Sequence, residues 1–144
     1  MTIREATTAD VDALVAMGER FLVSVYAKKI HANTDALRQL SEGLLASPDA
    51  VIYVAEVRGQ VIGMMGLMRY RHPMSGEPTA SEVMWWVDPE RRGSGVRLFR
   101  VGEAWAKASG ATVIQMIAPS PEVEQFYTRV GYEPVERTFQ KRVA

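Results

Sequence analysis

The sequence contains no cysteine. That absence removes disulfides, thiolate zinc sites, iron–sulfur clusters and cysteine nucleophiles together. Histidine is nearly missing too. His31 and His72 are the only two, and their spacing is not that of a metal-ligand pair, so no metal is expected. Charge of one sign is also absent, because 17 Lys and Arg balance 17 Asp and Glu. A general nucleic-acid binder needs a basic excess, so no nucleic-acid partner is expected. No apolar run approaches the ~18 residues that span a bilayer. Residues 1–10 lack the basic-then-apolar pattern of a signal peptide. A cytoplasmic protein without a membrane partner is the expectation. No repeat, low-complexity tract or long linker divides the chain, and 144 residues suit one domain over 1–144.

What is present reads as a mixed α+β chain. Ile3–Glu5 suit a short strand. Thr7 and Asp10 have capping-box spacing, and Val11, Leu14, Val15, Gly18, Phe21, Leu22 and Val25 follow with helical period. Asn33 or Thr34 can cap a second helix whose inner face holds Leu37, Leu40, Leu44 and Leu45. Val51–Val57 and Val61–Met68 flank Arg58-Gly59-Gln60 as a hairpin. Its second strand is apolar on both faces and should lie centrally. After a loop at 71–78, strict alternation over 81–87 puts Glu82, Met84 and Trp86 on one face, with Val83, Trp85 and Val87 on the other. A helix over 96–109, a strand over 112–118 and a helix capped by Ser120 with Pro121 at its first position come next. Gly110 and Gly131 stop the two helices. Tyr132–Val135 and Thr138–Val143 read as closing strands, for six to seven strands flanked by four helices.

The chemistry concentrates between strand and helix, at Asp88-Pro89-Glu90-Arg91-Arg92-Gly93-Ser94-Gly95-Val96. Free N–H groups at a helix start attract anions. Glycines at 93 and 95 let a diphosphate approach the backbone. Arg91, Arg92, Arg97 and Arg100 add forked donors. An arginine-rich turn that merely caps a helix is the plain alternative. A Walker loop is excluded, because Gly-Lys-Ser/Thr is absent, and a dinucleotide fingerprint would need a third glycine or alanine in a first βαβ unit.

This turn resembles the acetyl-CoA motif of the GCN5-related N-acetyltransferases (GNAT), Arg/Gln-x-x-Gly-x-Gly/Ala, in the form Arg92-Gly93-Ser94-Gly95-Val96-Arg97. Val87-Asp88-Pro89-Glu90 match the lead-in, and Arg97 departs by standing where glycine or alanine is usual. The likeness extends to Ile3-Arg4-Glu5-Ala6-Thr7, the hairpin, and Phe126-Tyr127-Thr128-Arg129-Val130-Gly131-Tyr132, with residues 22–48 the weakest stretch.

The resemblance implies the GNAT fold, acetyl-CoA as co-substrate, and direct attack of an amine of a small molecule or peptide on the thioester. The pantetheine arm would lie where the fourth and fifth strands part. Cofactor contacts would fall on Trp86 and Val87, on Arg92, Gly93, Ser94, Gly95, Val96 and Arg97, and on Ser120, which stands where asparagine is common. Tyr127 matches the family's tyrosine beside the departing sulfur, and a packing aromatic is its alternative. A phenol's pKa of ~10 exceeds a thiol's ~8.5, so a hydrogen-bond donor fits better than a full acid. Glu82 is the base candidate, its pKa raised by burial beside tryptophan; a solvent-facing strand-end glutamate is the alternative. His72 is a rival base in a loop. His31 stands between the first two helices, where the acceptor could reach it. Lys28, Lys29, Glu19, Arg20 and Glu42 form a mixed array there that names no acceptor. A different acyl-CoA or a non-catalytic acyl-CoA-binding module remain as other functions. Homodimers are frequent in the family, and no sequence feature requires one.

Overall fold

The computed structural model describes residues 1–27 and 29–144; the reading of Lys28 lies outside the described residues. Five strands form one sheet in the order β1-β2-β3-β4-β5. They are β1 (Thr2–Glu5), β2 (Ala50–Val57), β3 (Gln60–Arg71), β4 (Pro78–Val87) and β5 (Val113–Gln115). Neighbours are antiparallel except β4 and β5, which run parallel. As its composition requires, β3 is central and covered on both faces: Met64 and Met65, on opposite faces, are 1% and 0% exposed.

Helices α1 (Val11–Phe21) and α2 (Thr34–Ala46) cover one face, where Leu14, Met17 and Leu44 pack on Ile52, Val54, Met64, Met84 and Trp86. Helices α3 (Gly95–Ala108) and α4 (Pro121–Arg129) cover the other, where Leu98, Phe99 and Tyr127 pack on Ala55, Met65, Leu67 and Val87. The start of α1 is fixed as its spacing predicts. The Thr7 N–H donates to Asp10 Oδ2 at 2.7 Å. Arg4 on β1 donates to both Asp10 oxygens at 2.8 and 2.9 Å and to Glu56 on β2 at 2.7 Å. Gly110 and Gly131 close α3 and α4 at φ 88° and 95°, where an L side chain would be strained.

Three expectations are corrected. The helix through Val25 ends at Phe21 and continues as a π turn over Leu22–Tyr26. The fifth strand covers Val113–Gln115 rather than 112–118, because the Ile117 N–H goes instead to the Glu82 carboxylate, 3.1 Å away. The sheet has five strands, not six to seven. Tyr132–Val135 and Thr138–Val143 carry strand-forming residues but find no partner, and among the described residues no backbone hydrogen bond involves 133–144.

Candidate active site

Strands β4 and β5 are joined for only three residue pairs, Thr79–Ser81 with Val113–Gln115. Beyond Ser81, β4 continues to Val87 with no strand on its β5 side among the described residues. This part of β4 presents backbone donors and acceptors as an open sheet edge does.

Glu82 stands at the first position past the split. Strict alternation placed it on the face of Met84 and Trp86, and the structure corrects this. Gly66 lies opposite Met84 but Leu67 lies opposite Glu82, so Val83 is an extra residue, a β-bulge. The bulge leaves Val83 and Met84 on the α1–α2 face and turns Glu82 to the face of Leu67 and Tyr127. There the residue is 8% exposed. Its Oε2 accepts from the Tyr127 hydroxyl at 3.0 Å and from the Ile117 N–H at 3.1 Å. Burial disfavours the charged form and pushes its pKa up to about 7, against the lowering effect of the two donors.

Tyr127 reaches this point because Ser120 starts α4 correctly. The Ser120 hydroxyl accepts from the Val123 N–H at 3.4 Å, and Pro121 occupies the first turn. The Tyr127 hydroxyl lies between Glu82 and the Ile117 carbonyl, 3.1 Å away. Its ring packs on Trp85, Phe99, Phe126 and Tyr132 at centroid distances of 5.6–6.1 Å. Burial first, then the Glu82 charge, pushes the phenol well above its ordinary value, so it remains an O–H donor at neutral pH. Tyr26, at the end of the π turn, is also pushed up by burial and by Glu82. The sequence reading passed over Tyr26. An α-helical period carries no sign of the π turn that sets its direction.

The glycine turn lies on the same face of the sheet. Residues Pro89–Ser94 form a 3₁₀ turn, kinked at Arg91, that leads into α3. It consumes part of its own donors, because Arg91 N–H bonds Asp88 and Gly95 N–H bonds Arg92. A Cβ at Gly93 would meet nothing within 4 Å, and one at Gly95 would sit at an ordinary 3.5 Å from the Trp85 ring. Neither glycine is therefore demanded by packing of the chain against itself. Gly102 differs: a Cβ there would lie 2.7 Å from Met65 Sδ and 2.8 Å from Leu67 Cδ1. Arg91, Arg92, Arg97 and Arg100 are exposed. Among the described residues none of the four forms an ion pair. Val96 is 39% exposed and Ser94 partly so.

The turn is anchored from α1, which no sequence signal announced. Arg20 grips Asp88 with three contacts of 2.9–3.2 Å. Asp88 also accepts from Trp86 Nε1 at 3.1 Å. The Trp86 side chain is thus held under Phe21, at 5.9 Å between centroids, and only its backbone belongs to the open edge of β4. The Trp85 ring lies between the turn and Tyr127, 3.5 Å from where a Cβ on Gly95 would stand and 6.0 Å between centroids from the phenol ring. The rival base is otherwise engaged: His72 Nδ1 accepts from the N–H groups of Met74 and Ser75, holding its own loop. His31 is exposed. Among the described residues no group of three His, Cys, Asp or Glu could hold a metal ion, and no helix is long and apolar enough to cross a membrane.

Solved structures of known proteins share this fold. A predicted acetyltransferase from Clostridium acetobutylicum, solved with acetyl-CoA, superposes with a TM-score of 0.83 at 19% identity, over 98% of this chain and 95% of that one. An aminoglycoside 6'-N-acetyltransferase from Acinetobacter haemolyticus does so with a TM-score of 0.75 at 21% identity, over the whole of both chains. In sequence, a tRNA(Met) cytidine acetyltransferase from Aeropyrum pernix is 29% identical over 84% of this chain, which spans only 20% of that relative. The model of the Acetyltransferase (GNAT) family matches residues 18–132. The chain belongs to the Acetyltransferase (GNAT) family.

Proposed function

We propose that the protein transfers the acetyl group of acetyl-CoA to an amine of a small molecule or peptide. The observation that carries this reading is the hydrogen-bonded Glu82–Tyr127 pair at the mouth of the β4–β5 gap, on the sheet face that also holds the glycine turn. A diphosphate would sit on the turn, met by the N–H groups of Gly93, Ser94 and Val96 and by Arg92 and Arg97. Arg97 points outward, so its bulk at the glycine position leaves the turn open. The pantetheine amides would pair with the backbone of Trp86 and Val87. Ser120, occupied in capping α4, contributes by placing Tyr127 rather than by a long reach.

The amine nitrogen attacks the thioester carbonyl carbon, the C–N bond forms, and the C–S bond breaks. Glu82, with a pKa near neutrality, takes the proton that the amine must lose. A β4 N–H near Val87 supports the developing oxyanion. Tyr127 holds a proton too tightly to surrender it outright, so it donates a hydrogen bond to the departing sulfur. The proton collected by Glu82 then reaches the thiolate by a concerted relay, in which the phenol takes it up as it passes on its own and is never left as phenolate, and the charges balance. We take residues 1–144 as one catalytic domain of a cytoplasmic protein, and a homodimer as its assembled form. Release of free thiol from acetyl-CoA across a panel of small and peptide amines tests the reaction. Tight CoA binding without turnover on any amine would replace it with a non-catalytic module, and turnover only with longer acyl groups would change the donor.

A further inference from the structure

The mixed charges read along the first two helices separate in the fold. Glu19 accepts from the Thr34 hydroxyl at 2.7 Å, and Arg20 is engaged by Asp88. Lys29 is joined instead by charges from residues 140–142. After Gly131 reverses the chain, Tyr132 stays on the α3–α4 face, where its N–H donates to the Tyr127 carbonyl at 3.0 Å and its hydroxyl to Glu103 at 2.9 Å. The tail then crosses to the α1–α2 side. There Gln140 and Arg142 donate to the Lys29 carbonyl at 2.9 and 3.1 Å. A groove of about 480 Å³ opens between the two segments, lined by Lys29, Ile30, His31 and residues 140–144. Among the described residues no acidic side chain lines it.

Four side chains of this groove can carry positive charge or donate to an anion: Lys29, His31, Lys141 and Arg142. Among the described residues none of them enters an ion pair, either with a side chain or with the main-chain carboxylate of Ala144. His31 offers a ring N–H in either charge state. The whole chain has no net charge, so the excess is local. A cleft lined by one sign of charge focuses its field, and ammonium and guanidinium donors suit carboxylate and phosphate oxygens. The groove also neighbours the catalytic pair, by way of Tyr26. The Lys29 N–H donates to the Tyr26 carbonyl at 2.8 Å, a turn closure that holds the two α-carbons within about 7 Å. The Tyr26 ring is fixed edge-on against Phe21 at 5.5 Å between centroids. The charge of Glu82 acts on this phenol, and Tyr26 acts in turn on Tyr127. Tyr26 therefore stands near the pair, and it comes to it from the α1–α2 side.

We propose that the acceptor is an amine that also carries a carboxylate or phosphate, and that Lys29, His31, Lys141 and Arg142 hold this anion in the groove while the amine reaches Glu82 past Tyr26. The inference rests on the reading of Glu82 as the base for the amine. An anion seated beyond Tyr26 fixes one end of the acceptor and so orients the other. The link between the two ends must pass the length of a tyrosine side chain. An anion at the far end of a short flexible chain therefore fits, and one directly beside the amine does not. Along the sequence the site is hidden, because Lys29 and Gln140 stand 111 positions apart.

Steady-state kinetics with acetyl-CoA compare 4-aminobutyrate with butylamine, 6-aminohexanoate with hexylamine, and phosphoethanolamine with ethanolamine. The anionic member of at least one pair should show kcat/KM roughly tenfold higher or more, mainly through KM. The carboxylate and phosphate pairs tell the two anions apart. Lys29→Gln and Lys141→Gln should each reduce that preference severalfold, whereas Lys107→Gln, on α3, should not. A second measurement needs no turnover. The two histidines give separate ring-proton signals in NMR spectra. Inorganic phosphate or glutarate, added at constant pH with CoA already bound, should move the His31 signals saturably and leave those of His72 in place. Lys141→Gln should weaken that response. Preference for the neutral amines would seat the acceptor in the apolar slot between Val23, Trp86 and Pro89, which overturns the anion and leaves acetyl transfer intact. Absence of turnover on every amine would strike the catalytic reading and the acceptor role with it, and a shifted His31 would then keep the groove only as an anion site. His31 signals indifferent to both anions would overturn the groove itself.

Discussion

The Tyr127 hydroxyl lies 3.0 Å from Oε2 of Glu82, and both groups are buried. The pair shares the Ile117 peptide, Glu82 taking its N–H and Tyr127 its C=O. A buried carboxyl poised near neutrality against a phenol that stays protonated is suited to collecting a proton and handing it on.

Replacing Glu82 with Gln removes the group that titrates. The wild-type kcat/KM for a reactive amine is expected to rise with pH through an apparent pKa near 7. The E82Q enzyme should fall on the order of 10²-fold at pH 8 and lose that limb. An unchanged profile would assign Glu82 to holding Ile117 alone.

The same carboxyl has a consequence for stability. Its folded pKa is raised from 4.5 to about 7, so the folded state binds the proton more tightly. The stabilising contribution is complete below pH 4.5 and is lost as pH rises through 7, by about 3 kcal/mol at 1.36 kcal/mol per unit. E82Q should therefore gain in Tm relative to wild type between pH 5 and pH 8, by roughly 2–4 °C per kcal/mol. Thermal melts at the two pH values measure it.

Tyr127→Phe removes the donor but keeps the ring among Trp85, Phe99 and Phe126. A stability loss of about 1 kcal/mol is expected from the missing hydrogen bonds. Steady-state kinetics should show kcat reduced about tenfold or more with KM for acetyl-CoA little changed. Equal effects on both constants would instead indicate a displaced α4.

Gly93→Ala and Gly102→Ala separate binding from packing. At Gly93 the added methyl meets open space, so stability should hold within about 0.5 kcal/mol while acetyl-CoA binding weakens. At Gly102 it meets the fully buried Met65 and Leu67, at a cost of about 1–3 kcal/mol. Isothermal titration and melting of both variants settle the contrast.

Asp88→Ala frees Arg20 and leaves the Trp86 N–H without its acceptor. A loss of about 1–3 kcal/mol should accompany a higher KM for acetyl-CoA, because the 3₁₀ turn loses its tie to α1. Arg20→Ala, which removes only the half-exposed partner, should cost at most ~1 kcal/mol. Parallel melts and acetyl-CoA titrations of the two variants read both effects.

The sequence carried the order of elements well, because local signals set it. Caps at Thr7, Asn33 and Ser120, stop signals at Gly110 and Gly131, and the hairpin glycine all act within a few residues. The glycine turn was legible for the same reason. What escaped depends on distant partners. Nothing about Val83 announces that two residues of β4 face one of β3. The Arg20–Asp88 clasp joins positions 68 apart in the chain. The closing strands were read from residue type, yet a strand exists only when another backbone accepts it. The fifth strand stopped early because a carboxylate outcompeted a sheet partner for the Ile117 N–H.

The bulge at Val83 has one last consequence. Removing that residue would leave Glu82 opposite Leu67 and Met84 opposite Gly66 in an unbroken ladder, so every side chain would keep its orientation. What would vanish is the bend that a supernumerary residue imposes on its strand, just where β4 departs from β5. The width of the entrance is thus a matter of how many residues the strand contains, and almost any apolar side chain could stand at 83 provided the count is kept.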